Sequence, residues 1–244
     1  IKELPTVDYI LVPVGGGGLC TGVSTLAKLL NPKIKVIAVE PAGAACLKAS
    51  LEAGEVTTVS KINTIADGTA VQTPGDKLFP YLQANVDHVI TVDDSELTLS
   101  FLDMAENHKM IVENSGLLTV AALKHLDFKG KKVVSVLSGG NMDVLTMATV
   151  VQNGLMQRDR IFTVSVMLPD KPGQLAAVSS LIAKEQGNVI KLEHNVFANV
   201  NRTAGVELTI TLESFGTEHK DQIIKALEAA GYCPVITKTN GIYM

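Results

Sequence analysis

Several signatures are missing from this sequence, and each absence removes a class of function. No run of about 18 uninterrupted apolar residues occurs, so no membrane-spanning helix is expected. No basic segment followed by an apolar one opens the chain, so no secretory leader is expected. There is no lysine- or arginine-rich run and no RNA-binding aromatic signature. A net charge of −4 gives neither nucleic acid nor an anionic membrane an electrostatic hold. The three cysteines, Cys20, Cys46 and Cys233, are too scattered for a disulfide framework or a four-cysteine zinc site. That usage fits a reducing cytosol, and a cytoplasmic protein is expected. The five histidines form neither an H-x-x-x-H pair nor an H-E-x-x-H motif.

What remains is rich in core-forming residues. Hydrophobic residues make up 46% of the 244 and charged residues 19%, enough for one large or two ordinary domains. The chain opens on Ile1 and enters a strand pattern almost at once, which reads as an internal starting point.

The densest signal is Gly15, Gly16, Gly17 and Gly18, directly after the apolar run at residues 9–14 (YILVPV). Four glycines leave only backbone, whose N–H groups can crowd around an anion. Residues 19–30 read as a helix, so its positive end meets the same spot. Strand, glycine turn and helix predict a phosphate site. Two familiar motifs do not fit it. Gly17 and Gly22 have Walker A spacing, but Val23 and Ser24 follow, so the phosphate-gripping lysine is absent. The dinucleotide fingerprint fails at its third glycine, which is Cys20 or Thr21 depending on the start, although Glu40 ends the next strand where a ribose-binding acid would sit. Glycines serving only close strand–helix packing are the bland alternative.

A second apolar strand at residues 132–137 runs into Ser138-Gly139-Gly140-Asn141. In open α/β sheets ligands gather at the carboxyl ends of strands, so two such glycine turns can grip one compact ligand. Further strands are expected at 7–14, 34–40 and 88–92. Helices are expected at 19–30, 44–53, 94–109, 115–126 and 142–152, the third opened by a capping-box pair, Asp93 and Glu96. Repeated strand–helix units imply an α/β fold with an open, mostly parallel sheet covered on both faces.

From Gln152 the pattern changes. Residues 152–160 (QNGLMQRDR) read as a linker or helix end. Strands then follow at 161–168, 189–196, 206–212 and 232–237, with helices at 174–186 and 217–230. The two middle strands are joined through residues 199–202. The order β-α-β-β-α-β is the ferredoxin-like module. The organisation expected is therefore a first domain at 1–152, a linker at 153–160 and a second domain at 161–244.

Five segments in the first domain carry a family likeness: residues 15–19 (GGGGL), 39–41 (VEP), 64–68 (TIADG), 111–116 (IVENSG) and 137–141 (LSGGN). In this order they resemble the pyridoxal-phosphate-dependent serine/threonine dehydratases. The opening of the second domain, Asp170-Lys171-Pro172-Gly173-Gln174-Leu175 after a strand, resembles the ACT domain, which binds small molecules, often amino acids, and regulates attached enzymes. The resemblance implies the fold-type II architecture, in part, followed by an ACT domain, with pyridoxal 5′-phosphate as cofactor. It assigns Gly15, Gly16, Gly17, Gly18 and Leu19 to the cofactor phosphate, and Gly68 and Glu113 to the neighbourhood of the ring. Ser138 faces the pyridine nitrogen, and Asn141 orients the ring or stabilises its turn. Ser138 capping the following helix is the alternative, compatible with that role. A hydroxyl at the ring nitrogen makes a weaker electron sink than a carboxylate partner would, which favours loss of a β-hydroxyl.

The same resemblance implies that a lysine removes the α-proton of threonine and hydroxide then leaves, giving 2-oxobutanoate and ammonia; serine would give pyruvate. That lysine lies upstream of the glycine loop in the family, in an S-[FY]-K-x-R-G-like stretch that this chain does not contain. Lys61 and Lys77 read as exposed loop residues. The chain is thus expected to be the C-terminal part of a threonine dehydratase, inactive alone, with a serine dehydratase or a non-catalytic amino-acid-binding or assembly module as alternatives. No metal is expected. Glu40 and Ala44 come nearest to a cation-ligand pair, and Cys46 stands where relatives have an acid. The ACT likeness points to an amino-acid effector, isoleucine or valine, at Asp170, Gly173, Gln174, Leu175 and Asn188, and to a homo-oligomer.

Overall fold

The computed structural model describes residues 1–195 and 205–239. Contacts divide the chain into two compact units, Ile1–Val151 and Gln152–Met244.

In the first unit β1 (Tyr9–Pro13), β2 (Lys35–Pro41), β3 (His88–Val92) and β4 (Val133–Ser135) form a four-stranded sheet in the order β3-β2-β1-β4. Every pairing is parallel, with Tyr9 opposite Lys35 on one side and Val133 on the other. Alternate side chains leave opposite faces of a strand, and here both faces are apolar. Leu11, Ile37, Val39, Ile90 and Val92 pack with Leu97 and Phe101 of α4 (Asp94–Asp103) and Leu117 and Leu118 of α5 (Asn114–Ala121). On the other face Ile10, Val12, Val36 and Ala38 pack with Cys20 and Ala27 of α1 (Gly18–Leu30), Leu47 of α2 (Cys46–Ala53) and Phe79 and Leu82 of α3 (Phe79–Asn85). Each such Leu or Phe contributes about 1.5–3 kcal/mol by burial.

Two helices depart from expectation. The segment expected as helix over 94–109 is α-helical only to Asp103; a π turn, Met104–His108, follows, and Lys109 then reverses the chain at φ 56°. The short helix α3 has no strong apolar period, but Pro80 opens it where a missing amide costs nothing. The capping box at α4 is present: the Asp93 amide donates to Glu96 Oε2 at 2.9 Å.

The helix α6 (Val144–Gln157) is capped by Asp143, whose Oδ1 accepts from the amides of Leu145 and Thr146 at 2.9 and 3.0 Å. It continues through most of the stretch read as linker or helix end.

The second unit holds β5 (Ile161–Leu168), α7 (Gln174–Lys184), β6 (Asn188–Asn195), β7 (Val206–Glu213), α8 (Thr217–Ala229) and β8 (Val235–Thr237), with antiparallel strand order β6-β7-β5-β8. One sheet face is apolar: Phe162, Val164, Val166, Leu168, Leu208, Ile210 and Leu212 pack on Val178, Ile182, Ile223 and Leu227 of the two helices. β8 is shorter than expected because Pro234 has no amide to give the ladder. The strand connection expected at 199–202, with Val196 before it, lies outside the described residues.

Candidate functional site

The sheet order sets the site. β1 and β4 are neighbours, so the turns leaving their carboxyl ends, both glycine-rich, lie side by side. After β1, Gly17 caps α1 at φ 94°, a left-handed conformation that glycine adopts without strain. A Cβ there would sit 2.7 Å from Leu82 Cδ1, and one on Gly15 would sit 3.0 Å from Thr69 Cα. Nothing lies within 4 Å of the Cβ positions of Gly16 and Gly18. The loop is therefore packed tightly below and open above. Among the described residues none accepts a hydrogen bond from the amides of Gly15, Gly16, Gly17, Gly18 or Leu19. Five free N–H groups at the positive end of a 13-residue helix make a cradle for an anion.

The cradle opens into a cavity of about 190 Å³ whose wall also includes Gly68, Thr69, Glu113, Ser115 and Ser138. One wall is the strip at residues 64–68, bonded at several points. The Asn63 amide donates to Gly43 O at 3.0 Å. Thr64 Oγ1 and the Ile65 amide donate to the two oxygens of Asp94, at 2.7 and 3.0 Å. Asn114 Nδ2 donates to Ile65 O at 2.9 Å. A Cβ on Gly68 would meet Ser115 Oγ at 3.0 Å, so glycine keeps that wall flat.

The far end is built around Glu113. Its carboxylate takes the Asn141 amide at 3.2 Å, and its own amide donates to Gly139 O at 3.3 Å. Gly139 has φ 98°, and a Cβ on it would lie 2.4 Å from Glu113 Cδ. Glu113 thus braces the turn that carries Ser138. An adjoining cavity of about 250 Å³ shares Gly68, Glu113 and Ser115 and adds Asp67, Asn114, Asn141 and Asp143.

Of the residues singled out in the sequence, Gly15, Gly16, Gly17, Gly18, Leu19, Gly68, Glu113 and Ser138 line one cavity. Asn141 lines the adjoining one. At the α6 start the capping side chain is that of Asp143. Thr69 and Ser115 were missed, although each is next to or within a motif segment. Asp94 and Asn114 were missed as supports; nothing local in the sequence links them to residues 64–65. Neither cavity is lined by a lysine, and Lys61 and Lys77 are exposed.

Glu40 is fully buried and spends both carboxylate oxygens on α2, accepting from the Leu47 and Lys48 amides at 2.7 and 2.8 Å. Burial pushes its pKa up to about 7 against the downward pull of those amides and the Cys46 thiol. Burial, with Glu40 beside them, raises both Cys46 and Cys20 to about 12. Ala44, buried in the turn Ala42–Ala44, precedes this cap. Among the described residues no group of three or more His, Cys, Asp or Glu is arranged to hold a metal ion.

In the second unit Gly173 caps α7 at φ 90° with open space around its Cβ position. Asp170 and Gly173 are exposed, Gln174 half-buried, and Leu175 is 38% exposed. Asn188 Nδ2 donates to Glu213 Oε2 at 3.0 Å, so its amide is held by the adjacent strand.

Residues 1–139 match the family described as pyridoxal-phosphate dependent enzyme, and residues 162–231 match the ACT domain. The chain is 37% identical over 241 residues to an L-threonine ammonia-lyase of Geobacter sulfurreducens, covering 98% of this chain and 60% of that protein. It is 36% identical to an L-threonine ammonia-lyase of Thermotoga maritima, covering 95% of this chain and 58% of that one. The fold matches the processed form of threonine deaminase isoform 2 from Solanum lycopersicum with a TM-score of 0.58 and 31% identity, over 62% of this chain and 46% of the other. The chain therefore spans about three-fifths of the length of the two ammonia-lyases.

Proposed function

The chain belongs to the family of pyridoxal-phosphate-dependent enzymes, and on that premise we propose that it is the larger part of a threonine ammonia-lyase regulated through its ACT domain. The observation that carries this reading is the row of five uncommitted amides at residues 15–19, facing a cavity that runs to Ser138. The fit to the cofactor rests on the cradle itself: glycines at 15, 17, 68 and 139 occupy places where a side chain would collide.

The roles follow from the residues. The amides of residues 15–19 hold the phosphate, aided by the α1 dipole. The backbone at Gly68 supplies a flat wall for the ring. Ser138 would present a hydroxyl to the ring nitrogen, and Glu113 holds the Ser138 turn in place through Gly139 and Asn141. Pyridoxal phosphate supplies an electron sink for charge developing at the substrate α-carbon. Because a hydroxyl does not hold a pyridine nitrogen protonated as a carboxylate does, Ser138 beside the ring would keep that sink modest and would favour loss of a β-hydroxyl. Neither cavity is lined by a lysine, and none of the residues described here is assigned as the base that removes the α-proton.

Threonine is the substrate proposed, with serine the alternative, since the named relatives act on threonine. The turn at residues 170–175 is proposed to take an amino-acid effector, isoleucine or valine, its carboxylate on the amides opening α7. The test is keto-acid formation from threonine and from serine, with cofactor, by this chain and by the complete protein. The complete protein should form 2-oxobutanoate and this chain none. A complete protein that binds the cofactor yet forms no keto acid from either substrate overturns the reading.

A further inference from the structure

We propose that Ser115 is a further cofactor-binding residue, a second hydroxyl at the ring end of the cavity beside Ser138. The inference rests on the proposed cofactor site and adds a residue to it.

Ser115 is only 4% exposed, yet no hydrogen bond within the described residues uses its hydroxyl. Its oxygen is not sealed in the core but opens on the cavity, so a ligand there can supply the partner that polar side chains inside proteins nearly always have. Other buried hydroxyls nearby obey that rule: Thr69 Oγ1 donates to Ala66 O at 3.0 Å, and Thr119 Oγ1 to Val136 O at 3.1 Å. Ser115 has no such partner; unlike the sealed, unpartnered hydroxyls of Thr21 and Ser135, its oxygen is accessible, and it opens where a ligand belongs. It lines both the cradle cavity and the adjoining one.

Its position is fixed from two sides. It stands in the first turn of α5, and the next residue, Gly116, has a Cβ position 3.0 Å from Ser138 O. The helix start is thereby seated on the backbone of Ser138. Ser115 Oγ also lies 3.0 Å from the Cβ position of Gly68, the wall proposed for the ring. A hydroxyl here can donate to an acceptor on the pyridine ring or its substituents, so the ring end is gripped from two adjacent turns rather than one.

The test uses the complete protein, with Ser115→Ala, Ser115→Thr, Ser138→Ala and Gly17→Asp compared by spectroscopic cofactor titration and by thermal unfolding of the apo form. Ser115→Ala should weaken cofactor affinity roughly three- to tenfold, the effect of one lost hydrogen bond. The apo form should melt no lower than the parent, because the deleted hydroxyl had no partner there. Ser115→Thr should restore affinity. A purely structural residue would instead lower apo stability and affinity together, and that result overturns the inference. So does parental affinity in Ser115→Ala while Ser138→Ala and Gly17→Asp lose it. If all three bind as the parent does, the cofactor site itself is misplaced and both readings fall.

Discussion

Asp94 and Thr64 are joined by a 2.7 Å hydrogen bond, Thr64 Oγ1 donating to Asp94 Oδ1, while the other oxygen of the same carboxylate takes the Ile65 amide at 3.0 Å. Asp94 stands in the first turn of α4, where a negative charge is favoured by the helix dipole. One carboxylate thus ties the start of α4 to the strip that ends at Gly68.

Asp94→Ala removes both bonds and leaves the Ile65 amide without its partner. The expected loss is about 1–3 kcal/mol of unfolding free energy, read by urea denaturation, together with weaker cofactor binding in the complete protein. Parental stability and affinity in that variant would mean the strip is held by Asn114 and Gly43 alone.

Gly17→Asp combines three faults: a side chain at φ 94°, a Cβ 2.7 Å from Leu82 Cδ1, and a negative charge at the proposed phosphate site. Cofactor affinity of the complete protein should fall more than about tenfold, equivalent to about 1.4 kcal/mol. Unchanged affinity would place the phosphate elsewhere.

Glu40 sets a pH dependence with a definite sign. Its folded pKa of about 7 exceeds the ordinary 4.5 because the carboxylate is buried. Between those values the folded chain keeps a proton that the unfolded chain has released. This group's stabilising effect is therefore complete below about pH 4.5 and is lost as pH rises through 7. The slope contributed is at most about 1.4 kcal/mol per pH unit. Glu40→Gln should flatten the curve of unfolding free energy against pH in that window; an identical slope would show that the titration lies with other groups.

Borohydride reduction of this chain with pyridoxal phosphate should trap no stoichiometric adduct at one lysine, because neither cavity is lined by one. Peptide mapping that finds a single labelled lysine within the first unit would locate a nucleophile there.

Calorimetry of the chain with isoleucine or valine should detect binding at millimolar concentration. Gly173→Val should abolish it, since a β-branched residue at φ 90° is strained and fills the approach. Equal heats from both proteins would move the effector away from the α7 start.

The strand–turn–helix units were legible because their signals are local. Apolar runs of five to eight residues, bounded by glycine after β1, by aspartates around β3 and by arginine and proline around β5, gave these strands closely, and the four glycines marked the loop that lines the cavity. The connection of Asp94 to Thr64 was not legible, since the partners are 30 residues apart and the motif that holds Thr64 carries no sign of Asp94. Helix α3 was hidden by its short length and polar residues, although its Leu82 forms the floor of the glycine loop. Ser115 lay in plain view within IVENSG. Its missing hydrogen bond is a property of the packed structure and has no trace in the sequence.

The pairing of β1 with β4 has a temporal consequence. The Lys132 amide donates to Asp8 Oδ2 at 2.8 Å across a separation of 124 residues, and the phosphate cradle and the Ser138 turn are carried by the two strands so joined. Closing so long a loop is entropically costly and is repaid only when the sheet forms. During synthesis the glycine loop emerges before its counterpart, which exists only after residue 141 has left the ribosome. Until then the cradle is half a vessel, and at the proposed site cofactor binding has to follow the joining of β1 to β4.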